Sequence, residues 1–306
     1  MVLGLLCIGI VLLAQTAGKK IQLANNEILF TATLEDRHIG TYWMDIAHGL
    51  FYRLPNKNFI ETQPVWSPDG KQIAYVSAFS RGNIIGRSIY VQDTESMTVR
   101  PLIDDPIAEF SPAWSPDGRF IAYGTSRFDG SPELMVTDVQ ARTSRRLTDN
   151  HHSDNHPTWS PDGRYIAYAA DPTFPGNTEI DVIDLKSDTV RPLVSTPNRE
   201  TNPAWSPDGR YILYVADLAN LGIYVWDMLQ NQAHLIYPTL PLGPNPPGWS
   251  ADSRFIIFAD NSLSGRTGIF QLEIAPCLQR LPACLPQRLT VTPGLFSVPQ
   301  WRPNLP

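Results

Sequence analysis

A chain of 306 residues is long enough for two ordinary domains or one large all-β domain. Hydrophobic residues make up 42% of it, which excludes global disorder, and charged residues only 18%, which with 28 Pro and 20 Gly favours short strands joined by turns over solvent-facing helices. A net charge of −6 without a long basic run excludes nucleic acid as a partner, because neutralising phosphates needs a concentrated basic face.

The chain opens with MVLGLLCIGIVLLAQTAG, which carries no charged side chain before Lys19 and Lys20. At about 1.5 Å per helical residue this nearly spans a hydrocarbon core of roughly 30 Å. Residues 1–20 are therefore expected to be a signal peptide or an N-terminal membrane anchor. Ala14 and Ala17 lack A-x-A spacing, and no basic segment precedes the apolar run. Read literally, the two lysines that follow it would keep the rest of the chain on the cytoplasmic side. Two later cysteines, Cys277 and Cys284 in CLQRLPAC, argue for export: they either close a small disulfide ring or stand as free thiols. The expected location is extracytoplasmic, with membrane contact only through residues 1–20.

From Ile21 onward one pattern recurs. PVWSPDGKQIAYVS begins at 64, PAWSPDGRFIAYGT at 112, PTWSPDGRYIAYAA at 157 and PAWSPDGRYILYVA at 203; a degraded copy, PGWSADSRFIIFAD, begins at 247, and PQWRP at 299. The tryptophans Trp66, Trp114, Trp159, Trp205, Trp249 and Trp301 stand 48, 45, 46, 44 and 52 residues apart. Each unit reads as four strands: one ending at Trp-Ser, a Pro-Asp-Gly turn, an apolar second strand, a third ending near an aspartate (Asp93, Asp138, Asp184, Asp227), and a fourth beyond a polar turn. Four strands in about 45 residues mark a β-propeller blade. Residues 27–33, 40–45 and 50–54 match strands two to four of a further blade, and 297–301 match its missing first strand. The expectation is an all-β, six-bladed propeller over residues 21–306, a monomer whose ring is closed by the C-terminal strand joining the N-terminal blade.

WSPDG followed by an IAY-type strand and an IYV-D strand resembles the WD40-like repeat of the TolB family, which implies a six-bladed propeller. The repeats are also similar to the propeller of prolyl-oligopeptidase-type enzymes, in which a separate hydrolase domain supplies the serine. No G-x-S-x-G is present here. An additional α/β domain ahead of the propeller, as the TolB translocation protein carries, has no room in this sequence, so a role in the Tol–Pal system is not the expectation.

The serine and aspartate of WSPDG recur in every full copy, whereas a catalytic group is needed once, so they are read as scaffold. Three residues before the repeat proline stand Glu61, Glu109, Asp154 and Glu200, replaced by Pro244 and Phe296 in the last two copies. Directly before it stand Gln63, Ser111, His156, Asn202, Pro246 and Val298. Repeat geometry places equivalent positions at one radius, which predicts a ring of four carboxylates around the channel mouth. The polar residues nearer the channel, and loops bearing Arg81, Arg127, Asp129, Asp171, Asp217 and Asp260, would complete it. A negative mouth suits a cation or a basic segment of a partner; merely solvated loop acids are the alternative. HHSDNH holds His151, His152 and His156 beside Asp154, a ligand set suited to zinc, manganese or iron. Two functions follow. The first is a non-catalytic scaffold binding a protein or peptide at the channel mouth, through Glu61, Gln63, Glu109, Asp154, His156, Glu200 and Asn202, with no cofactor beyond a divalent cation. The second is a metal-assisted polysaccharide lyase or hydrolase using the three histidines.

Overall fold

Buried strands set the architecture. Second strands such as Tyr165–Asp171 and Tyr211–Asp217 are buried along almost their whole length. Such a strand must be covered on both faces, as it is when sheets stack face to face. Fourth strands such as Thr189–Val194 and Ser144–Arg146 are largely exposed, and their polar side chains guard the outer sheet edges.

The computed structural model describes residues 27–33, 39–46, 50–54, 61–81, 84–103, 108–128, 131–172, 176–217, 221–238, 246–260, 268–279, 284–290 and 295–303. They form six four-stranded antiparallel sheets. Blades II to V follow in chain order, their first strands being Glu61–Trp66, Glu109–Trp114, Ser153–Trp159 and Arg199–Trp205. Blade VI starts at Gly248–Trp249, where the prolines just ahead leave only a two-residue strand. Blade I is composite: the C-terminal strand Leu295–Trp301 pairs antiparallel with Glu27–Thr33, aligning Ile28 with Trp301 and Thr33 with Leu295. The ring therefore closes as the sequence predicts.

Six clusters of buried apolar side chains lie between successive blades. Leu29 and Leu54 meet Trp66 and Tyr75 between I and II, Val91 meets Trp114 between II and III, and Leu134 meets Tyr168 between III and IV. Val182 meets Tyr214 between IV and V, Tyr211 stacks on Trp249 between V and VI, and Ile269 meets Ile28 between VI and I. The tryptophans pack in these wedges, and the indole N–H groups of Trp159 and Trp249 donate to the preceding blade at Ala113 O (3.1 Å) and Ala204 O (3.0 Å).

The WSPDG element is one turn built repeatedly. Ser160 Oγ donates to Asp162 Oδ1 (2.5 Å) and accepts from Tyr165 N (2.8 Å), while Asp162 Oδ1 accepts from Arg164 N (3.0 Å). Gly163 takes φ +69°, which its missing Cβ allows. Ser67, Ser115, Ser206 and Ser250 make the same bonds with Asp69, Asp117, Asp208 and Asp252. Arginines after the turn brace it: Arg119, Arg164 and Arg210 pair with Asp138, Asp184 and Asp227 at the end of the third strand. These serines and aspartates are scaffold.

Two features depart from the expected strand plan. Blade II carries a long hairpin, Gln72–Arg81 with Ile84–Asp93, so Arg81 ends a strand opposite Ile84 instead of lying in a loop. The CLQRLPAC insert contains a short helix, Ile274–Leu278. Cys277 in it is disulfide-bonded to Cys284, seven residues on.

Candidate functional site: the central channel

First strands line the ring interior, and those of blades II to V each contain an irregularity just before the proline. Pairing with the second strand shifts between Thr62 and Val65, Phe110 and Ala113, Asn155 and Thr158, and Thr201 and Ala204. The residue inside each bulge is left-handed, with φ of 53° at Gln63, 53° at Ser111, 52° at His156 and 55° at Asn202. Non-glycine residues adopt this conformation at a cost of about 1–3 kcal/mol. The proline that follows removes a donor the bulge could not use.

These side chains meet at the axis. Together with Pro246 and Gln300 they border a channel cavity of about 310 Å³, floored by the repeat tryptophans and prolines and reaching all six blades. Gln63 and Ser111 join neighbouring blades: Ser111 N donates to Gln63 Oε1 (2.9 Å), and Gln63 Nε2 to Ser111 Oγ (3.4 Å). His156 Nδ1 is buried without a hydrogen-bond partner. Burial pushes its imidazolium pKa down to about 4, so the ring is neutral at pH 7.

The four carboxylates do not stand at the mouth as an exposed acidic ring. Glu61, Glu109, Asp154 and Glu200 are each at most 1% exposed. They lie at the heads of their strands, opposite Ser77, Thr125, Ala170 and Ala216 of the second strands. Glu109 accepts from Ile89 N of the neighbouring blade (3.2 Å) and faces Arg127 Nη2 at 3.5 Å. Asp154 accepts from Asn150 Nδ2 (2.9 Å), and Glu200 accepts from the Thr196 hydroxyl. Burial outweighs these bonds and lifts Asp154 to about 6 and Glu200 to about 7. Among the described residues no Asp, Glu, Lys or Arg borders this cavity. The four carboxylates are therefore buried at the strand heads, and the side chains bordering this cavity are uncharged and polar, aromatic or aliphatic.

Asp171, Asp217 and Asp260, expected in loops, end second strands instead, and each has a partner close by. Asp217 faces Arg199 (3.8 Å), Asp260 accepts from Tyr237 Oη (3.0 Å), and Asp171 accepts from Gly176 N (3.2 Å). Asp129 and Pro244 lie outside the described residues, as do the side chains of Arg81, Phe296 and Val298.

The histidines do not assemble the expected ligand set. His156 borders the channel, whereas His151 and His152 do not, and no three His, Cys, Asp or Glu side chains among the described residues converge as metal ligands. The strand begins at Ser153, so the bulge at His156 sends its ring inward, away from the two histidines left in the preceding turn.

A closed ring of six four-stranded blades, built on a repeated Trp-Ser-Pro-Asp-Gly turn around a polar channel, defines a WD40-like β-propeller. Residues 85–265 match the TolB beta propeller domain, and the chain belongs to that family. Among solved structures it is similar to TolB from Acinetobacter baumannii, with 21% identity and a TM-score of 0.78 over 91% of this chain and 67% of that one. A chain of the nidogen/laminin complex aligns with 11% identity and a TM-score of 0.66, over 90% of this chain and 97% of that one. An oligogalacturonate lyase in complex with manganese aligns with 13% identity and a TM-score of 0.59, over 83% and 87%. At these identities the likeness is one of fold. No curated protein matches the sequence.

Proposed function

We propose that the chain is a non-catalytic binding scaffold that engages a protein or peptide segment through the channel face of its propeller. The observation carrying this reading is the set of four strained bulges, which hold Gln63, Ser111, His156 and Asn202 against the cavity. The surrounding motif repeats from blade to blade, while the displayed side chain changes at every one. Amide, hydroxyl and imidazole groups can pair with the backbone and uncharged side chains of an inserted segment, and the tryptophans offer it apolar faces. The neutral lining disfavours a basic segment, whose charge would be desolvated without a counter-ion.

In this reading residues 21–306 form one propeller domain, which acts as a monomer outside the cytoplasm. Residues 1–20 serve as its signal peptide or anchor and supply its only membrane contact. The Cys277–Cys284 bond agrees with an oxidising compartment. Among the described residues no helix is long and apolar enough to cross a membrane. The test is co-purification from envelope extracts with wild-type protein and with His156→Trp, which fills the channel. A specific partner should be captured by the wild type and lost from His156→Trp, with both proteins melting alike. Equal capture by the two refutes this reading.

A further inference from the structure

A second cavity, of about 490 Å³, opens between blades III and IV on the face that carries the WSPDG turns, at the far end of the inner strands from the channel-mouth acids. Its walls are Phe120, Val136, Trp159 and Leu185, and Asp117 and Asp162 stand at its rim. Its size lies within the range of small-molecule sites.

The interfaces between blades fill the equivalent positions with different side chains. Where blade IV meets blade V, the positions equivalent to Ile183 and Leu185 are Trp226 and Met228, and both pack against the intervening core. Between V and VI, Tyr211 stacks on Trp249 with ring centroids 6.2 Å apart. Between III and IV those positions hold Ile183 and Leu185, and the aromatics equivalent to Tyr211 and Trp249, Phe120 and Trp159, face the slot.

Charge selects the occupant. Of the charged groups bordering the slot, Asp138 is paired with Arg119 (2.9 Å) and Arg145 with Asp188 (3.1 Å). Asp117 and Asp162 each use Oδ1 within their own turn and have no ion-pair partner among the described residues. Counting the lining groups with their ion-pair partners gives Asp117, Asp138, Asp162 and Asp188 against Arg119 and Arg145, a net charge of −2. Arg119 and Arg164 attract Asp117 and Asp162 without pairing with them, and an anion would still meet net negative charge. A cation with an apolar body would place its body against Trp159 and Leu185 and its charge beside Asp117 and Asp162, with the Trp159 ring contributing attraction, since Arg119 already lies over the Phe120 ring at 4.8 Å.

We infer that the slot between blades III and IV is a binding site for a small organic cation, an ammonium carried on an aromatic or branched apolar body, separate from the channel. The probe is benzyltrimethylammonium, titrated calorimetrically into the full chain, with benzyl alcohol and benzoate as uncharged and anionic controls. Saturable one-to-one binding of the cation, at least tenfold tighter than either control, is expected. Asp117→Asn/Asp162→Asn keeps the Oδ1 acceptor of each turn and should weaken the cation at least tenfold. Leu185→Trp, which fills the slot with a larger side chain, should abolish binding and serves if the double variant does not fold. Absence of saturable binding, equal binding of benzoate, or unchanged affinity in the folded variants overturns the assignment.

Discussion

Glu200 heads an inner strand with 1% of its surface exposed, and burial holds its carboxyl pKa near 7 despite the hydrogen bond from Thr196. The folded protein thus binds this proton more tightly than the unfolded chain, whose value lies near 4.5. Stability is lost as pH rises from the unfolded to the folded value, and the full penalty stands above pH 7. Asp154 acts in the same direction with a folded value of about 6. His156 opposes them: its value falls from 6.5 to about 4, so its contribution is complete above 6.5 and is lost as pH falls towards 4. Glu200→Gln keeps an acceptor for Thr196 and removes the charge. It should stabilise the protein by on the order of 2 kcal/mol at pH 8, a rise of several degrees in Tm, and leave it unchanged near pH 4. Thermal melts at both pH values check this, and equal shifts at both would place the effect in packing instead of ionisation.

The strands were legible because the motif repeats and because WSPDG carries its own turn chemistry in Ser, Asp and Gly. The direction of the side chains entering each first strand was not. In a regular strand Glu61 and Gln63 would share a face, but the shift between Thr62 and Val65 breaks the alternation. The carboxylate then turns into the blade interior, and the residue before proline turns to the channel. The available signal was a polar residue before proline at the same place in four blades. Proximity in HHSDNH misled for the same reason, since the bulge separates His156 from its neighbours. The helix Ile274–Leu278 was masked by Pro276, which the first turn tolerates. Its Cys277 is buried in the cluster joining blades V and VI, with Cys284 packed alongside. Cys277→Ser/Cys284→Ser should therefore lower stability by about 2 kcal/mol, the closure entropy of a short loop. Reductant should lower the wild-type Tm comparably and leave the double variant unmoved in a thermal melt; a wild type indifferent to reductant would show that the bond contributes nothing to this seam.

Over the whole molecule, closure follows from the distribution of partial repeats at the two ends. It is reinforced by Arg302, which pairs with Glu27 across blade I (2.5 Å), donates to Gly70 O of blade II (3.0 Å) and lies over the ring of Trp66 (5.0 Å). The ring puts the repeated turns at one end of the inner strands and the bulged, variable positions around the axis. On the proposed function, the channel contacts come from positions that differ between blades, carried on a frame that repeats. The most direct measurement is photo-cross-linking with a benzoylphenylalanine at Ser111, on the channel, compared with one at Ser187, on the outer edge of blade IV, in otherwise identical protein exposed to its envelope extract. One discrete cross-linked species is expected from position 111, suppressed by His156→Trp, and none of that species from position 187. The same adduct from both positions, or one from 111 that persists when the channel is filled, would contradict binding through the channel.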